Sequence, residues 1–155
     1  MRDALLGRAV TDLDFTTSAS PDQTEALLKQ FTPTTWAIGK EFGTIGALKR
    51  SEGNDWQIEV TTFRADVYRS ESRKPEVAFG DNIDGDLVRR DFTVNAMAIN
   101  IATRAFVDPY GGLDDLADGI LRTPSTPEIS FSDDPLRMLR AARFAARLGF
   151  SVEPG

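Results

Sequence analysis

The sequence predicts an α/β (α+β) fold, a mixed β-sheet flanked by helices and followed by the first helix of an all-α region. Three observations carry that expectation. Short runs of alternating apolar and polar residues recur between residues 12 and 123, separated by Gly-rich turns. Capped helix starts interrupt them. After the Pro-rich stretch Thr123-Pro124-Ser125-Thr126-Pro127 the pattern changes to one strong helix that Gly149 ends. The expected boundary therefore separates a sheet-containing domain, residues 1–123, from the start of a helical one, residues 124–155.

The elements follow in order. Residues 1–7 read as a short helix stopped by Gly7, where a left-handed cap suits glycine. Nothing precedes Arg2-Asp3 to cap that helix, so a truncated N-terminus is expected. A strand over residues 12–16 comes next. Ser20-Pro21-Asp22-Gln23 has the form of a capping box with Pro at the first helical position, and Ala26, Leu27 and Phe31 are expected to give that helix its buried side. Residues 36–40 and 44–48 read as short strands around Gly39, Gly43 and Gly46, and Ser51-Glu52-Gly53-Asn54-Asp55 as a hairpin turn. Residues 56–63 alternate cleanly, with Trp56, Ile58, Val60 and Thr62 on one face and Gln57, Glu59, Thr61 and Phe63 on the other.

Residues 64–86 are polar and lack periodicity, which fits either a mobile active-site loop or a plain surface excursion. Asp91 is placed to cap a short helix through Asn95, with Phe92 and Ala96 on its inner side and Arg90 just before its N-terminus, a position that favours anions. A hairpin around Ala102-Thr103-Arg104, a helix over 113–118 closed by Gly119 and a strand over 120–123 complete the first domain. In the last helix Ser132 is the expected cap, with Asp133 and Asp134 in the first turn. At 100° per residue, Arg137, Arg140, Arg143 and Arg147 share a sector of about 120°. Such a stripe suits a polyanion, and it equally suits solvated arginines or arginines paired with acids elsewhere.

Composition narrows the chemistry. The 155 residues carry 41% hydrophobic and 27% charged side chains, as in an ordinary globular protein, and no apolar run approaches a membrane span. With no Cys and no His, thiol nucleophiles, disulfides, imidazole bases and the usual zinc sites are excluded. The cysteine-free chain is compatible with a cytoplasmic address. A net charge of −6 argues against non-specific coating of nucleic acid, although the clustered arginines leave room for a local basic groove.

Carboxylates remain. In Thr11-Asp12-Leu13-Asp14-Phe15 an extended backbone puts Asp12 and Asp14 on one face and Leu13 and Phe15 on the other. Two like charges side by side repel unless a cation neutralises them, and oxygen ligands suit magnesium, which takes one or two carboxylates plus substrate phosphates. An ordinary solvated strand end has the same tripeptide. Glu59 fits a third carboxylate on a neighbouring strand and an exposed strand Glu equally well. Together, the paired carboxylates, the Arg-Arg-Asp and the arginine stripe are parts that can hold a nucleoside triphosphate and two metal ions.

Four stretches in order resemble the bacterial class II tRNA nucleotidyltransferase and poly(A) polymerase family. They are Arg2-Asp3-Ala4-Leu5-Leu6-Gly7 with Thr11-Asp12-Leu13-Asp14, Arg89-Arg90-Asp91-Phe92-Thr93-Val94-Asn95-Ala96, Asp108-Pro109-Tyr110-Gly111-Gly112-Leu113-Asp114-Asp115-Leu116, and Asp133-Asp134-Pro135-Leu136-Arg137-Met138-Leu139-Arg140-Ala141-Ala142-Arg143-Phe144. The resemblance implies a polymerase-β-like head over residues 1–123 and the start of a helical neck over 124–155, with neck, body and tail helices beyond. It implies Mg2+ held by Asp12 and Asp14 with Glu59 as a further catalytic carboxylate. It implies nucleotide binding by Arg2, Arg90, Asp91, Asn95, Asp134, Arg137, Arg140 and Arg143, with ATP and CTP as substrates and tRNA as partner.

Under that resemblance Asp134 and Arg137 would read the base, because C and A both present an amine beside an acceptor. Its implied activity is addition of C and A to the tRNA 3′ end with release of pyrophosphate. Addition of A only, of CC only, or of poly(A) stays open within the family, as does a nucleotide-binding module without turnover. Glu41 interrupts the basic pair that poly(A) polymerases tend to carry after the Gly at position 39, which favours the tRNA enzyme. A fragment of this extent is expected to bind tRNA weakly and to turn over poorly by itself. The whole reading expects the acidic pair and the arginine helix to face one cavity.

Overall fold

A computed structural model describes residues 1–65, 78–80 and 82–153. It divides into two compact units, Ala9–Asp86 and Met1–Arg8 together with Leu87–Gly155.

The unit Ala9–Asp86 is built on β1 (Asp12–Thr17), α2 (Pro21–Phe31), β2 (Thr34–Trp36), β3 (Thr44–Ser51) and β4 (Asn54–Thr62). The sheet order is β1-β4-β3-β2, with β1 parallel to β4 and the other pairs antiparallel, so it is mixed as expected. Glu52 and Gly53 both have positive φ (52° and 79°), the two-residue hairpin turn whose twist matches its strands. Ile45, Ala47 and Ile58 form the buried centre on one face. Phe31 reaches that face too, lining an apolar cavity of about 430 Å³ with Leu13, Lys49, Ser51, Trp56 and Ile58. Its apolar walls, and its place on the face away from Asp12 and Asp14, leave it no part in carboxylate chemistry.

Two expectations fail here. The expected strand over 36–40 ends at Trp36, because Gly39 and Gly43 (φ 87°) fold residues 40–42 into a 3-10 turn whose Thr44 N–H returns to the Gly39 carbonyl. The inner side of α2 is Pro21 and Thr24; Leu27 and Phe31 are more than half exposed. The capping box of Ser20 and Gln23 is present, but it fixes where the helix starts, and packing on the sheet then chose the 21/24 face.

The 3-10 turn is tied to α2 by Lys40, which contacts Asp22 and Glu25 at 2.6 Å each, while Lys29 also holds Glu25 at 2.6 Å. Hydrogen bonds from Lys29 and Lys40 lower the Glu25 carboxyl from 4.5 to about 2. Asp22 and Glu25 raise Lys40 from 10.5 to about 12. A depressed carboxylate contributes stability above its unfolded value and loses it as pH falls toward its folded one. The Tm is therefore expected to drop on acidification from pH 4.5 to about 2, and a thermal-melt series on Glu25→Gln should show a shallower drop. Lys40 acts oppositely, losing its contribution only as pH rises from 10.5 through about 12.

Of residues 64–86, 66–77 and 81 lie outside the described residues. At the described ends, β5 (Arg64–Ala65) pairs antiparallel with β6 (Ala78–Phe79), and α3 (Ile83–Val88) follows.

In the other unit, α1 (Arg2–Leu5) ends at Gly7 with φ 67°. A 3-10 turn at Thr93–Asn95, the hairpin β7 (Ala98–Ile99) and β8 (Phe106–Val107), α4 (Gly112–Asp118) and β9 (Ile120–Leu121) lead to α5 (Pro127–Asp133), α6 (Leu136–Leu148) and β10 (Ser151–Val152). Its core is Phe92, Val94, Met97, Leu116, Leu121, Ala141 and Phe144, with Phe92 and Phe144 edge to face at 5.9 Å. Gly119 caps α4 and Gly149 caps α6 in the left-handed conformation, as their positions predict. Beneath them the buried Asp115 accepts from Thr93 (2.6 Å) and from Arg122 (3.2 Å), which in turn pairs with Glu153.

The sequence also misplaced three boundaries here. The helix expected from Ser132 is two helices, and Ser132 and Asp133 close the first of them. Proline disfavours a helical residue before it, and Asp134, preceding Pro135, is extended (φ −146°, ψ 95°). The Pro-rich linker is in part that first helix: Thr126 caps α5 and Pro127 is its first residue. Asp91 does not cap an α-helix; it accepts from the N–H of Phe92, and the turn beyond is 3-10.

Candidate functional site

The first cluster belongs to the sheet. Parallel pairing aligns Asp12 with Gln57 and Asp14 with Glu59, and aligned residues on neighbouring strands point to the same face. Asp12 and Asp14 are exposed, Leu13 and Phe15 half-buried on the opposite side, and Glu59 half-buried. The pattern Asp-apolar-Asp thus does what alternation demands. Among the described residues Asp12 meets only Thr11 Oγ1 at 3.5 Å, and Glu59 only Gln57 Nε2 at 3.4 Å, both at the long limit of a hydrogen bond. No arginine or lysine among the described residues bonds to Asp12, Asp14 or Glu59, in contrast with Glu25 on α2.

An all-oxygen donor set without an internal counter-charge fits a hard divalent cation. Among the described residues no group of three or more His, Cys, Asp or Glu side chains is placed to hold a metal ion. Two exposed carboxylates instead leave coordination positions for water and phosphate oxygens, which is how magnesium is usually held.

The second cluster belongs to the other unit and is a chain of charged groups. Arg140 donates to Asp91 Oδ2 (2.8 Å from Nε, 2.7 Å from Nη2), and Asp91 Oδ1 accepts from Phe92 N–H and Asn95 Nδ2, each at 2.8 Å. Asn95 Oδ1 accepts from Arg2 Nη1 at 2.6 Å, and the other face of that guanidinium grips Asp3 at 3.0 and 3.1 Å. The hydrogen bond from Arg2 is the main cause that holds the Asp3 carboxyl below its ordinary value. The buried Phe144 ring supports three guanidinium groups, Arg2 at 4.8 Å, Arg143 at 5.2 Å and Arg140 at 5.5 Å from its centroid.

Asp134 and Arg137 stand at the α5–α6 break. Asp134 Oδ1 accepts from Leu136 N–H at 3.0 Å; Arg137 donates to Ser130 Oγ (2.7 Å) and to the Arg89 carbonyl (2.6 Å). Arg137 therefore already grips the Arg89-Arg90-Asp91 segment. Arg90 is half-buried and Arg143 exposed, and among the described residues Arg143 has no acidic hydrogen-bond partner. Of the sequence-derived residues, Asp12, Asp14 and Glu59 share one sheet face, while Arg2, Asp91, Asn95 and Arg140 form one network and Asp134 and Arg137 one helix junction. Sequence reasoning missed Asp3, Ser130 and Phe144. Only Phe144 gave a signal, as the aromatic at the end of the arginine-rich run.

A family model described as the poly A polymerase head domain matches residues 1–122. The chain belongs to that family. Its head is similar to the CCA-adding enzyme of Bacillus velezensis, 42% identical over 154 residues, which is 99% of this chain and 37% of that relative. Among solved structures, the Bacillus stearothermophilus CCA-adding enzyme in complex with CTP matches at a TM-score of 0.81 and 37% identity, over 99% of this chain and 34% of that one. The Thermotoga maritima CCA-adding enzyme complexed with tRNA matches at 0.71 and 34%, over 99% and 33%. This head-domain chain thus spans about a third of the length of the relatives it matches. Its mixed sheet with flanking helices agrees with the fold that the sequence predicts. Among the described residues no helix is long and apolar enough to cross a membrane.

Proposed function

We propose that this chain is the catalytic head of a cytoplasmic RNA 3′-end nucleotidyltransferase that adds C and A, from CTP and ATP, to tRNA with release of pyrophosphate. The observation that carries the reading is the register that sets Asp12, Asp14 and Glu59 on one uncompensated face, in a chain 42% identical to a CCA-adding enzyme. We assign residues 1–123 to the head, and the family match ending at residue 122 supports that limit; residues 124–155 begin the neck.

Magnesium, held by Asp12 and Asp14, would supply activation of the RNA 3′-hydroxyl and neutralisation of the triphosphate. Glu59 adds negative charge next to Asp14 and helps attract the cation. Arg90, Arg140 and Arg143 supply positive charge for phosphate oxygens. Asp91 is 8% exposed with both oxygens engaged, so its part is to orient Arg140 and, from its remaining lone pairs, to accept from a ribose hydroxyl. Asn95 links Asp91 to Arg2 and is a positioning residue. Asp134 keeps one oxygen for an exocyclic amine. Arg137 spends two of its five N–H donors on protein groups and offers the others to a ring nitrogen or carbonyl. Transfer needs no covalent enzyme intermediate, because in-line attack is favoured by positioning and electrostatics.

The product decides among the family's reactions. CTP and ATP, one of them labelled, are supplied together with a tRNA lacking its last three nucleotides, with one ending in CC, and with an unrelated RNA. Growth by C, C and A on the first is the expected outcome. A long A tail on the unrelated RNA would overturn it in favour of a poly(A) polymerase, and A addition confined to the second would define an A-adding enzyme.

A further inference from the structure

The carboxylate face carries one large side chain to which no role has been given. Across the sheet, register places Trp36 opposite Gly46, Gly46 opposite Glu59, and Glu59 opposite Asp14, a single transverse row over β2, β3, β4 and β1. A Cβ built on Gly46 would lie 2.0 Å from Trp36 Cε2, 2.1 Å from Nε1 and 2.5 Å from Cζ2. The indole therefore occupies the space above β3 that any other residue at 46 would fill. Glycine inside a strand weakens it and marks a close approach by something else; here that something is the ring. With strands about 4.8 Å apart, a ring above β3 stands about 5 Å from the strand of Glu59 and about 10 Å from that of Asp14.

Trp36 is half-buried, so part of the ring stays open. Its surroundings on that face are mostly polar: Thr44 and Thr61, hydrogen-bonded to each other at 2.9 Å, and the carboxylates, with Leu48 the apolar neighbour on β3. The chain's other tryptophan, Trp56, lies on the opposite face and lines the apolar cavity.

We propose that Trp36 is a stacking platform for a base at the 3′ end of the acceptor RNA, and the proposal rests on reading Asp12 and Asp14 as the transfer site. An apolar protein segment is a poor occupant, because seating it would bury carboxylates and hydroxyls without partners. A nucleobase presents a π-face to the indole while its sugar stays hydrated and reaches toward the carboxylates. Stacking is tolerant of base identity, which suits an end whose last base changes as it grows. The incoming base is assigned to Asp134 and Arg137, so the acceptor base is the one that still requires support.

Trp56→Phe leaves Trp36 as the sole tryptophan, and its emission can be followed while a short single-stranded RNA ending in CC is added. Saturable quenching is expected, with affinity about tenfold weaker for the same RNA with an abasic 3′ end. Trp36→Leu should raise the KM for acceptor RNA about tenfold or more and leave the KM for CTP unchanged, and Trp36→Phe should restore most of it. Gly46→Ala, which pushes the indole off β3, should reproduce the Leu variant with Trp36 still present. Unchanged emission while labelled RNA binds by anisotropy, or an unchanged acceptor KM in Trp36→Leu, overturns the proposal while leaving the transfer reading intact. Quenching by the RNA end in a protein that incorporates no nucleotide supports the platform and counts against the transfer reading alone.

Discussion

Exchanging Asp12 and Asp14 together for Asn is expected to cut nucleotide incorporation at least about a thousandfold, which corresponds to about 4 kcal/mol of transition-state stabilisation. The substitution keeps the shape of both side chains and removes two charges that, among the described residues, no bonded arginine or lysine balances. Both positions are exposed strand residues with at most one long hydrogen bond, so the fold should tolerate the change within about 0.5 kcal/mol. Single-turnover transfer from labelled CTP to a tRNA acceptor, with a thermal melt alongside, measures both quantities. Retention of more than a tenth of wild-type transfer would remove the carboxylate pair from the chemistry. If the wild type incorporates nothing, and CTP binds the double variant as well as the wild type, the chain is a nucleotide-binding module.

Phe144→Ala should have the largest effect on stability, about 3–5 kcal/mol, or a Tm lower by roughly 10 °C at this chain length. The ring is 4% exposed and packs edge to face on Phe92. Its deletion also removes the surface over which Arg2, Arg140 and Arg143 are held. Phe144→Leu separates the two roles. Leu restores most of the buried volume and most of the Tm, but it lacks the π-face, so the KM for nucleotide should stay raised. A Leu variant with wild-type KM would show that the ring serves packing alone, and an Ala variant that melts with the wild type would show that it serves neither.

The residues missed from sequence share a cause. Asp12, Asp14 and Glu59 were legible because a strand has a fixed period of two, and a single observed pairing then carries the inference from one strand to the next. The caps at Ser20, Gly119 and Gly149 were legible because each needs only its own few residues. Gly46 fell inside an expected strand, as observed, but its role was not legible, since that depends on Trp36, ten residues away in sequence and opposite it on the neighbouring strand. The buried side of α2 was misread because apolar character alone does not say which face meets the sheet. Asn95 and Arg137 were named through the family resemblance, but their partners, Arg2 and the Arg89 carbonyl, lie 93 and 48 residues away.

By itself, then, the sequence determined the types of element, the alternation that puts two carboxylates on one face, and the arginine-rich sector of the last helix. Tertiary structure alone decided which groups are already spent on one another: Asp91 on Arg140 and Asn95, Arg2 on Asp3, Arg137 on Ser130. The physical reason is range. Backbone periodicity and caps act over a few residues, whereas a charged side chain is satisfied by whatever the fold brings within about 3 Å.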